Sequence, residues 1–415
     1  METVKHRYRE VEATLAEMLA THPAVWITGP RACGKSTTAR QFARTVVQLD
    51  QPGTAAAFEA DPDAALRGLA APVLIDEWQV APGVLGAIKR AVDADPSPGR
   101  FVVTGAARAA LDTPTWPGTG RLVHLPMWGM TQGEIDASSA AEPFIDRFAA
   151  GAEILAPTSP PDLRDYLERA LRGGFPEPAL RLSGRARDRF YDSYIDQMVH
   201  RDALLVDRGR DSDRLRRYFE AVALHTASVV EDQTLFAAAG IGRMTAVAYD
   251  ALFQGLSVVD DLPAWSSNRL KRLVKSAKRH VVDPALTASI LRADVDGVLR
   301  DGGLMGRLLD TFVVAQIRPQ LPVSRNRPRL YHLRAEQGRH EVDLLVELAG
   351  GRILAFEIKA AAAPTSHDAR HLAWLRDSLG DAFVAGAVLH TGPRVYSLGD
   401  RLRAIPIACV WLGNP

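Results

Sequence analysis

Eight residues constrain the folding of this chain more than any other feature. Gly29-Pro30-Arg31-Ala32-Cys33-Gly34-Lys35-Ser36 fits G-x-x-x-x-G-K-S, directly follows the apolar run Ala24–Thr28 and precedes a helix-compatible stretch. A loop of this kind needs glycines so that successive backbone N–H groups can turn toward phosphate oxygens. It needs a lysine to reach the outer phosphates and a hydroxyl to meet Mg2+. The spacing therefore predicts a phosphate-binding loop formed by Gly29, Pro30, Arg31, Ala32, Cys33, Gly34, Lys35, Ser36 and Thr37, with ATP and Mg2+ as its ligands.

About forty residues on, Pro72-Val73-Leu74-Ile75-Asp76-Glu77 reads as an apolar strand ending in two carboxylates. In that place Asp76 supports Mg2+ and Glu77 orients or deprotonates the attacking water. The next apolar run, Phe101–Thr104, carries Thr104 at its C-terminal end, where a hydroxyl suits a γ-phosphate sensor. Arg108 and Arg121 are candidate arginine fingers, because charge developing on the γ-phosphate calls for a rigid cation; either is equally well an ordinary surface arginine. Apolar runs at 24–28, 46–49, 73–75, 101–104 and 122–125 alternate with longer helical stretches, which predicts a parallel α/β sheet. An amphipathic helix over 3–20 leads into it.

Composition limits the partners. Lys+Arg 50 against Asp+Glu 49 leaves a formal charge of +1, so a nucleic acid or an anionic membrane must be met by a local patch. Two cysteines, Cys33 and Cys409, make neither a disulfide framework nor a thiolate zinc site. No run reaches the roughly 18 apolar residues of a membrane span, and the N-terminus is charged where a signal peptide is apolar. The expectation is a soluble, cytoplasmic protein without a membrane partner.

Pro157, Pro160 and Pro161 mark a connector, and mostly helical patterning follows over 163–257. Helices over 213–228, 232–239 and 243–255, with a Gly240-Ile241-Gly242 turn, resemble a winged helix-turn-helix. The run 268–280 contains Arg269, Lys271, Arg272, Lys275, Lys278 and Arg279 and no acid. It is a candidate DNA contact or a solvated edge. The resulting sections are 1–156, 157–285 and 286–415.

In the last section a helix over 303–316 precedes strands at 341–348, 352–359 and 382–389. Strict alternation in the first two predicts a hairpin around Ala349-Gly350-Gly351. A three-residue loop sets Val346 opposite Leu354, Leu344 opposite Phe356 and Val342 opposite Ile358, so that the apolar faces coincide. Asp343 then lies opposite Glu357, and Glu341 opposite Lys359. Facing carboxylates repel unless a cation or proton lies between them. A metal-dependent phosphodiesterase site at Asp343, Glu357 and Lys359, with Asp310 as a further ligand, is one reading; a solvated face with a Glu341–Lys359 pair is the other. His367 and His371 stand at i, i+4 without an evident third ligand.

Together these residues resemble a prokaryotic family of AAA-type ATPases whose core is joined to a C-terminal domain of unknown function. The resemblance spans nearly the whole chain. It rests on Gly29-Pro30-Arg31 with Gly34-Lys35-Ser36, on Leu74-Ile75-Asp76-Glu77-Trp78-Gln79 with Ala81-Pro82, and on Phe101-Val102-Val103-Thr104-Gly105. It continues through Gly120-Arg121 with Glu134, Gly173-Gly174-Phe175-Pro176-Glu177, Arg201-Asp202, Asn268 to Lys278 with Asp283, and the pair Glu341-Val342-Asp343 and Glu357-Ile358-Lys359. It implies an AAA core, a winged-helix segment and a restriction-endonuclease-like α/β domain, with ATP at Lys35 and Ser36, Mg2+ and water handled by Asp76 and Glu77, and a nuclease-like site at Asp343, Glu357 and Lys359. It also implies a homo-oligomer in which a neighbour's arginine completes the ATP site. Three departures from the family pattern are Ala106 where serine usually follows Thr-Gly, Ser36 for threonine, and Asp310 for glutamate.

Overall fold

The computed structural model describes residues 6–105, 120–202, 211–267, 276–335 and 339–413. Two compact units emerge: Met1–Gly129 with Ala251–Ser257, and Met130–Asp250 with Val258–Pro415.

The first unit is built on five parallel strands, β1 (Ala24–Thr28), β2 (Thr45–Gln48), β3 (Val73–Asp76), β4 (Phe101–Thr104) and β5 (Leu122–Pro126), in the order β2-β3-β4-β1-β5. Every residue of β3 and β4 is buried, which is why these strands read in the sequence as unbroken apolar runs and not as alternation. The helix Val84–Ala94 turns Val84, Leu85, Ile88 and Val92 into a core with Trp26, Ile75, Phe101 and Val103. Because β4 inserts between β1 and β3, Ile27 and Asp76 both lie in register with Thr104. Three strand ends therefore meet at the C-terminal edge of the sheet, where open α/β sheets place their ligands.

The second unit opens with the helix Gln132–Asp136, capped reciprocally by Thr131 and Glu134: Thr131 N donates to Glu134 Oε2 at 2.8 Å and Glu134 N to Thr131 Oγ1 at 3.1 Å. Gly173 has φ +75°, and a Cβ there would come within 2.0 Å of the Tyr191 hydroxyl and 2.7 Å of Asp283 Oδ1. The Gly-Gly-Phe motif is thus the close approach that lets Gly174 N donate to Asp283 Oδ2 at 2.8 Å, while Ala285 N donates to Asp283 Oδ1 at 2.9 Å. Helices Ser212–Leu224, Asp232–Ala238 and Arg243–Gly255 follow, close to where the sequence pattern puts them, the last of them running on into the stretch Ala251–Ser257 that is grouped with the first unit, and then an antiparallel pair, β6 (Val259–Leu262) and β7 (Lys278–Val281).

A six-stranded mixed sheet completes this unit: β8 (Arg329–Ala335), β9 (His340–Glu347), β10 (Ile353–Lys359), β11 (Phe383–His390), β12 (Tyr396–Gly399) and β13 (Leu402–Pro406), in the order β12-β13-β11-β10-β9-β8. The helix Arg370–Leu379 carries the crossover that makes β10 and β11 parallel. One sheet face packs Leu344, Val346, Leu354 and Phe356 with Leu308, Leu309 and Phe312 of the helix Gly302–Ile317; the other packs Leu345, Ile353 and Ala355 with Leu372 and Leu375.

The expected hairpin register holds where the ladder is regular: Leu354 pairs with Val346 and Phe356 with Leu344, and Leu348 N donates to Arg352 O at 2.8 Å. It fails one residue later. The β8–β9 register shifts between Tyr331↔Leu345 and Leu333↔Val342, so Val342 joins the face of Leu345 and not that of Leu344. An irregularity of this kind reverses the side-chain alternation beyond it. Two further expectations are corrected. Glu341 lies in register with Arg334, while Lys359 pairs with Glu357 at 3.1 Å, so the predicted Glu341–Lys359 ion pair is replaced. With helices covering both sheet faces, Glu357 is 3% exposed, which removes the solvated-face reading.

Candidate functional site: a phosphate loop and a separate carboxylate cluster

The loop between β1 and the helix Lys35–Arg40 is shaped by backbone geometry that side chains resist. Gly29 has φ +145° and Gly34 φ +103°. A Cβ on Gly29 would lie 1.8 Å from Met127 O, so only glycine lets the loop pass β5. Lys35, 6% exposed, donates from Nζ to Gly29 O at 3.0 Å and Pro30 O at 2.7 Å. Its ammonium is thereby held over the loop by carbonyls that it can exchange for phosphate oxygens. Pro30 and Cys33 are buried beneath the loop, Arg31 and Gly34 are half-buried, and Ala32 and Thr37 are exposed at its rim.

At the ends of β3 and β4, Asp76 Oδ1 accepts from Ser36 Oγ at 2.7 Å and from Thr104 Oγ1 at 2.6 Å, and Arg40 lies 3.7 Å from Oδ2. A carboxylate and a hydroxyl at this separation are the oxygen pair that a hard, octahedral cation takes from a protein, with phosphate oxygens and water completing its shell. These residues fit Mg2+. Thr104 is fully buried with its hydroxyl on Asp76, so the structure places it as a partner of that carboxylate.

Glu77 is in the left-handed region, φ 58° and ψ 46°, an uncommon conformation for this residue and one that clusters at functional sites. Its carboxylate accepts from Gln79 Nε2. Gly105 is what leaves room: a Cβ there would lie 2.4 Å from Gln79 Oε1 and 2.6 Å from Trp78. Arg121 stands just before β5, at the N-terminal edge of the sheet and away from the loop, and is bound to Asp93 at 2.7 Å. As a finger for its own chain's site it is ruled out by position. Arg108 and Ala106 lie outside the described residues.

Sequence reasoning missed Arg9. It is 4% exposed and donates to Cys33 O and Trp128 O, each at 2.8 Å, bracing the loop from beneath. No local pattern marks a residue whose partners are 24 and 119 positions away.

The second unit holds the other predicted cluster. Asp310, Asp343, Glu357 and Lys359 do converge, and with them comes a residue not anticipated there. Lys278 of β7 is 3% exposed, and its Nζ lies 3.1 Å from Asp310 Oδ2 and 3.5 Å from Asp343 Oδ1. Asp343 Oδ2 accepts from Ile358 N at 3.0 Å. Burial works against the Lys278 ammonium, but Asp310 and Asp343 outweigh it and hold its pKa above the ordinary lysine value. Burial and then Asp343 push Asp310 up; burial opposes ionisation of Asp343, yet Lys278 and Lys359 keep it low. Burial and Asp343 push Glu357 well above its ordinary value.

A divalent metal does not fit this arrangement. Glu357 Oε1 is buried without a hydrogen-bond partner, which alone would suit a cation. The facing oxygens of Asp310 and Asp343, however, are already on an ammonium. Among the described residues no group of three His, Cys, Asp or Glu side chains is disposed to hold a metal ion, His367 and His371 included.

The basic run is also corrected in part. Lys278 points inward, and Arg279 pairs with Asp232 at 2.7 Å and Asp250 at 3.3 Å, so neither is available to a phosphate backbone. Arg269, Lys271, Arg272 and Lys275 lie outside the described residues.

Comparison with known proteins agrees with the site in the first unit. Residues 21–136 match a family model described as an AAA domain. This stretch is thus similar to AAA domains, and it forms the parallel α/β sheet that carries the loop. Residues 163–296 and 305–410 match two models described as domains of unknown function, DUF8612 and DUF4143. Uncharacterised proteins of Mycobacterium tuberculosis and Mycobacterium bovis are each 28% identical over 407 residues, covering 96% of this chain and 83% of theirs. Among solved structures, the Walker-type ATPase PABY2304 of Pyrococcus abyssi aligns with a TM-score of 0.42 at 14% identity, over 70% of this chain and 99% of its own. The Aeropyrum pernix ORC1 protein in complex with DNA aligns with a TM-score of 0.30 at 13% identity, over 72% and 95%. Among the described residues no helix is long and apolar enough to cross a membrane.

Proposed function

We propose that the chain binds and hydrolyses Mg2+-ATP at the loop 29–37. The observation that carries this is the convergence of the Ser36 and Thr104 hydroxyls on one Asp76 oxygen, together with Lys35 held on the carbonyls of the loop. Lys35 leaves the loop carbonyls for the β- and γ-phosphates, and the backbone N–H groups of the loop line the phosphate path. Mg2+ held by Ser36 and Asp76 would neutralise charge on the phosphate oxygens. Thr104 fixes the rotamer of Asp76. Glu77 accepts the proton of the attacking water, with Gln79 holding its carboxylate in place. Titration of a fluorescent ATP analogue tests the binding half: Mg2+ is expected to tighten binding by the wild type and not by Ser36→Ala, and Mg2+-independent binding by both would contradict it.

The second unit is read as a winged-helix segment followed by a restriction-endonuclease-like fold, with nucleotide state controlling what it binds. The three helices followed by β6 and β7 support the first part, and the mixed sheet with Asp343, Glu357 and Lys359 on adjacent strands supports the second. The lysine in the carboxylate cluster favours a binding or scaffold module for DNA or protein over a strand-cutting enzyme. Supercoiled plasmid is therefore expected to stay intact in Mg2+ or Mn2+ with and without ATP; cleavage abolished by Asp343→Ala would reverse that choice. A cytoplasmic homo-oligomer whose neighbour supplies an arginine remains part of this reading. Size measurements with and without ATP test it, and a strict monomer with full turnover would defeat it.

A further inference from the structure

We propose that Lys278 is the resident cation of the Asp310–Asp343–Glu357 cluster, taking the place of a divalent metal and tying β7 to the C-terminal sheet. The three carboxylates come from the helix Gly302–Ile317, β9 and β10; Glu357 is buried, and the side chains of Asp310 and Asp343 are only 15% and 16% exposed. Such a cluster requires positive charge. Two lysines supply it: Nζ of Lys278 between Asp310 and Asp343, and Nζ of Lys359 on Glu357.

Mg2+ or Mn2+ bridging Asp310 and Asp343 would need those same oxygens at about 2.0–2.1 Å, and would then stand against the Lys278 ammonium. Both cannot occupy the place. Lys278 has little freedom to leave. It lies in a strand paired along its length with β6, and its neighbour Arg279 is anchored to Asp232 and Asp250. The cluster is thus an ionic joint between the small sheet β6–β7 and the large one.

The joint predicts a gain of function. Removing the ammonium while keeping the side-chain volume, in Lys278→Met, leaves three carboxylates in need of a cation and opens the place to a metal. Electron paramagnetic resonance of Mn2+ with the full-length, nucleotide-free chain tests this. The wild type is expected to show no Mn2+ binding that depends on Asp343. Lys278→Met is expected to bind one further Mn2+ per chain, lost again in the double variant with Asp343→Asn. Mn2+ bound by the wild type and released in Asp343→Asn would overturn the proposal, and this arm needs no change at position 278. A folded Lys278→Met that gains no Mn2+ would overturn it too.

Discussion

Replacing Thr104 by valine isolates a single interaction at the ATP site. The side chain is fully buried and valine has nearly its shape, so no cavity opens; what disappears is the donor 2.6 Å from Asp76 Oδ1. Ser36 still reaches the same oxygen at 2.7 Å, so the carboxylate keeps one hydroxyl and loses the one that fixes its orientation. A hydrogen bond to a charged group is worth about 1.5–3 kcal/mol. If that orientation is needed in the transition state, the rate falls by a factor of ten for each 1.36 kcal/mol, or roughly tenfold to 150-fold. Steady-state phosphate release at saturating Mg2+, together with nucleotide titration, separates turnover from binding: kcat should fall while ATP affinity changes little, and Thr104→Ser should restore most of the rate. A Thr104→Val protein with kcat within about twofold of wild type would refute the reasoning.

Three other outcomes follow from the geometry. Glu77→Gln should bind ATP normally and lose roughly 10²–10⁴-fold in turnover, since it keeps the shape and removes the base; a rapid-quench measurement checks it. Arg9→Met removes both hydrogen bonds to Cys33 O and Trp128 O, and nucleotide titration should show affinity about tenfold weaker or worse. Burial pushes Asp283 up from 3.8 to about 6, so the folded state holds this proton more tightly than the unfolded chain. Its contribution therefore favours folding at low pH and is lost as pH rises from about 4 through about 6, by up to about 3 kcal/mol. Asp283→Asn should remove that slope from the unfolding transition of the second unit.

The central strands β1, β3 and β4 of the first unit were legible because parallel strands covered on both faces are contiguous apolar runs, and the loop was legible because phosphate chemistry dictates residue types at fixed spacing. The C-terminal hairpin register was legible for the same reason that it fails at Val342: a period-two pattern assumes a regular ladder and carries no sign of a shift. β8, β12 and β13 were not anticipated, since their short segments, such as Arg329–Ala335, mix charged and apolar residues without strict alternation, even though β8 pairs with β9 and β12 with β13, their neighbours in sequence. Lys278 was hidden in a run of basic residues that reads as surface. The signal that pointed to it was indirect, namely three carboxylates in need of a cation, and that need was assigned to a metal. Arg9 left no pattern, because what makes it matter is proximity created by the fold, and Gln79 stood in a motif without any sign that its amide would hold the Glu77 carboxylate.

The central claim, that the loop 29–37 with Asp76 and Glu77 is an ATP-hydrolysing site, is tested most directly by phosphate release from ATP and Mg2+ with the full-length chain, its Lys35→Ala variant and its Glu77→Gln variant. The account predicts turnover by the wild type and near-complete loss in both variants, with ATP binding lost only in Lys35→Ala. Equal turnover in all three, or a wild-type chain that binds no ATP, would contradict it.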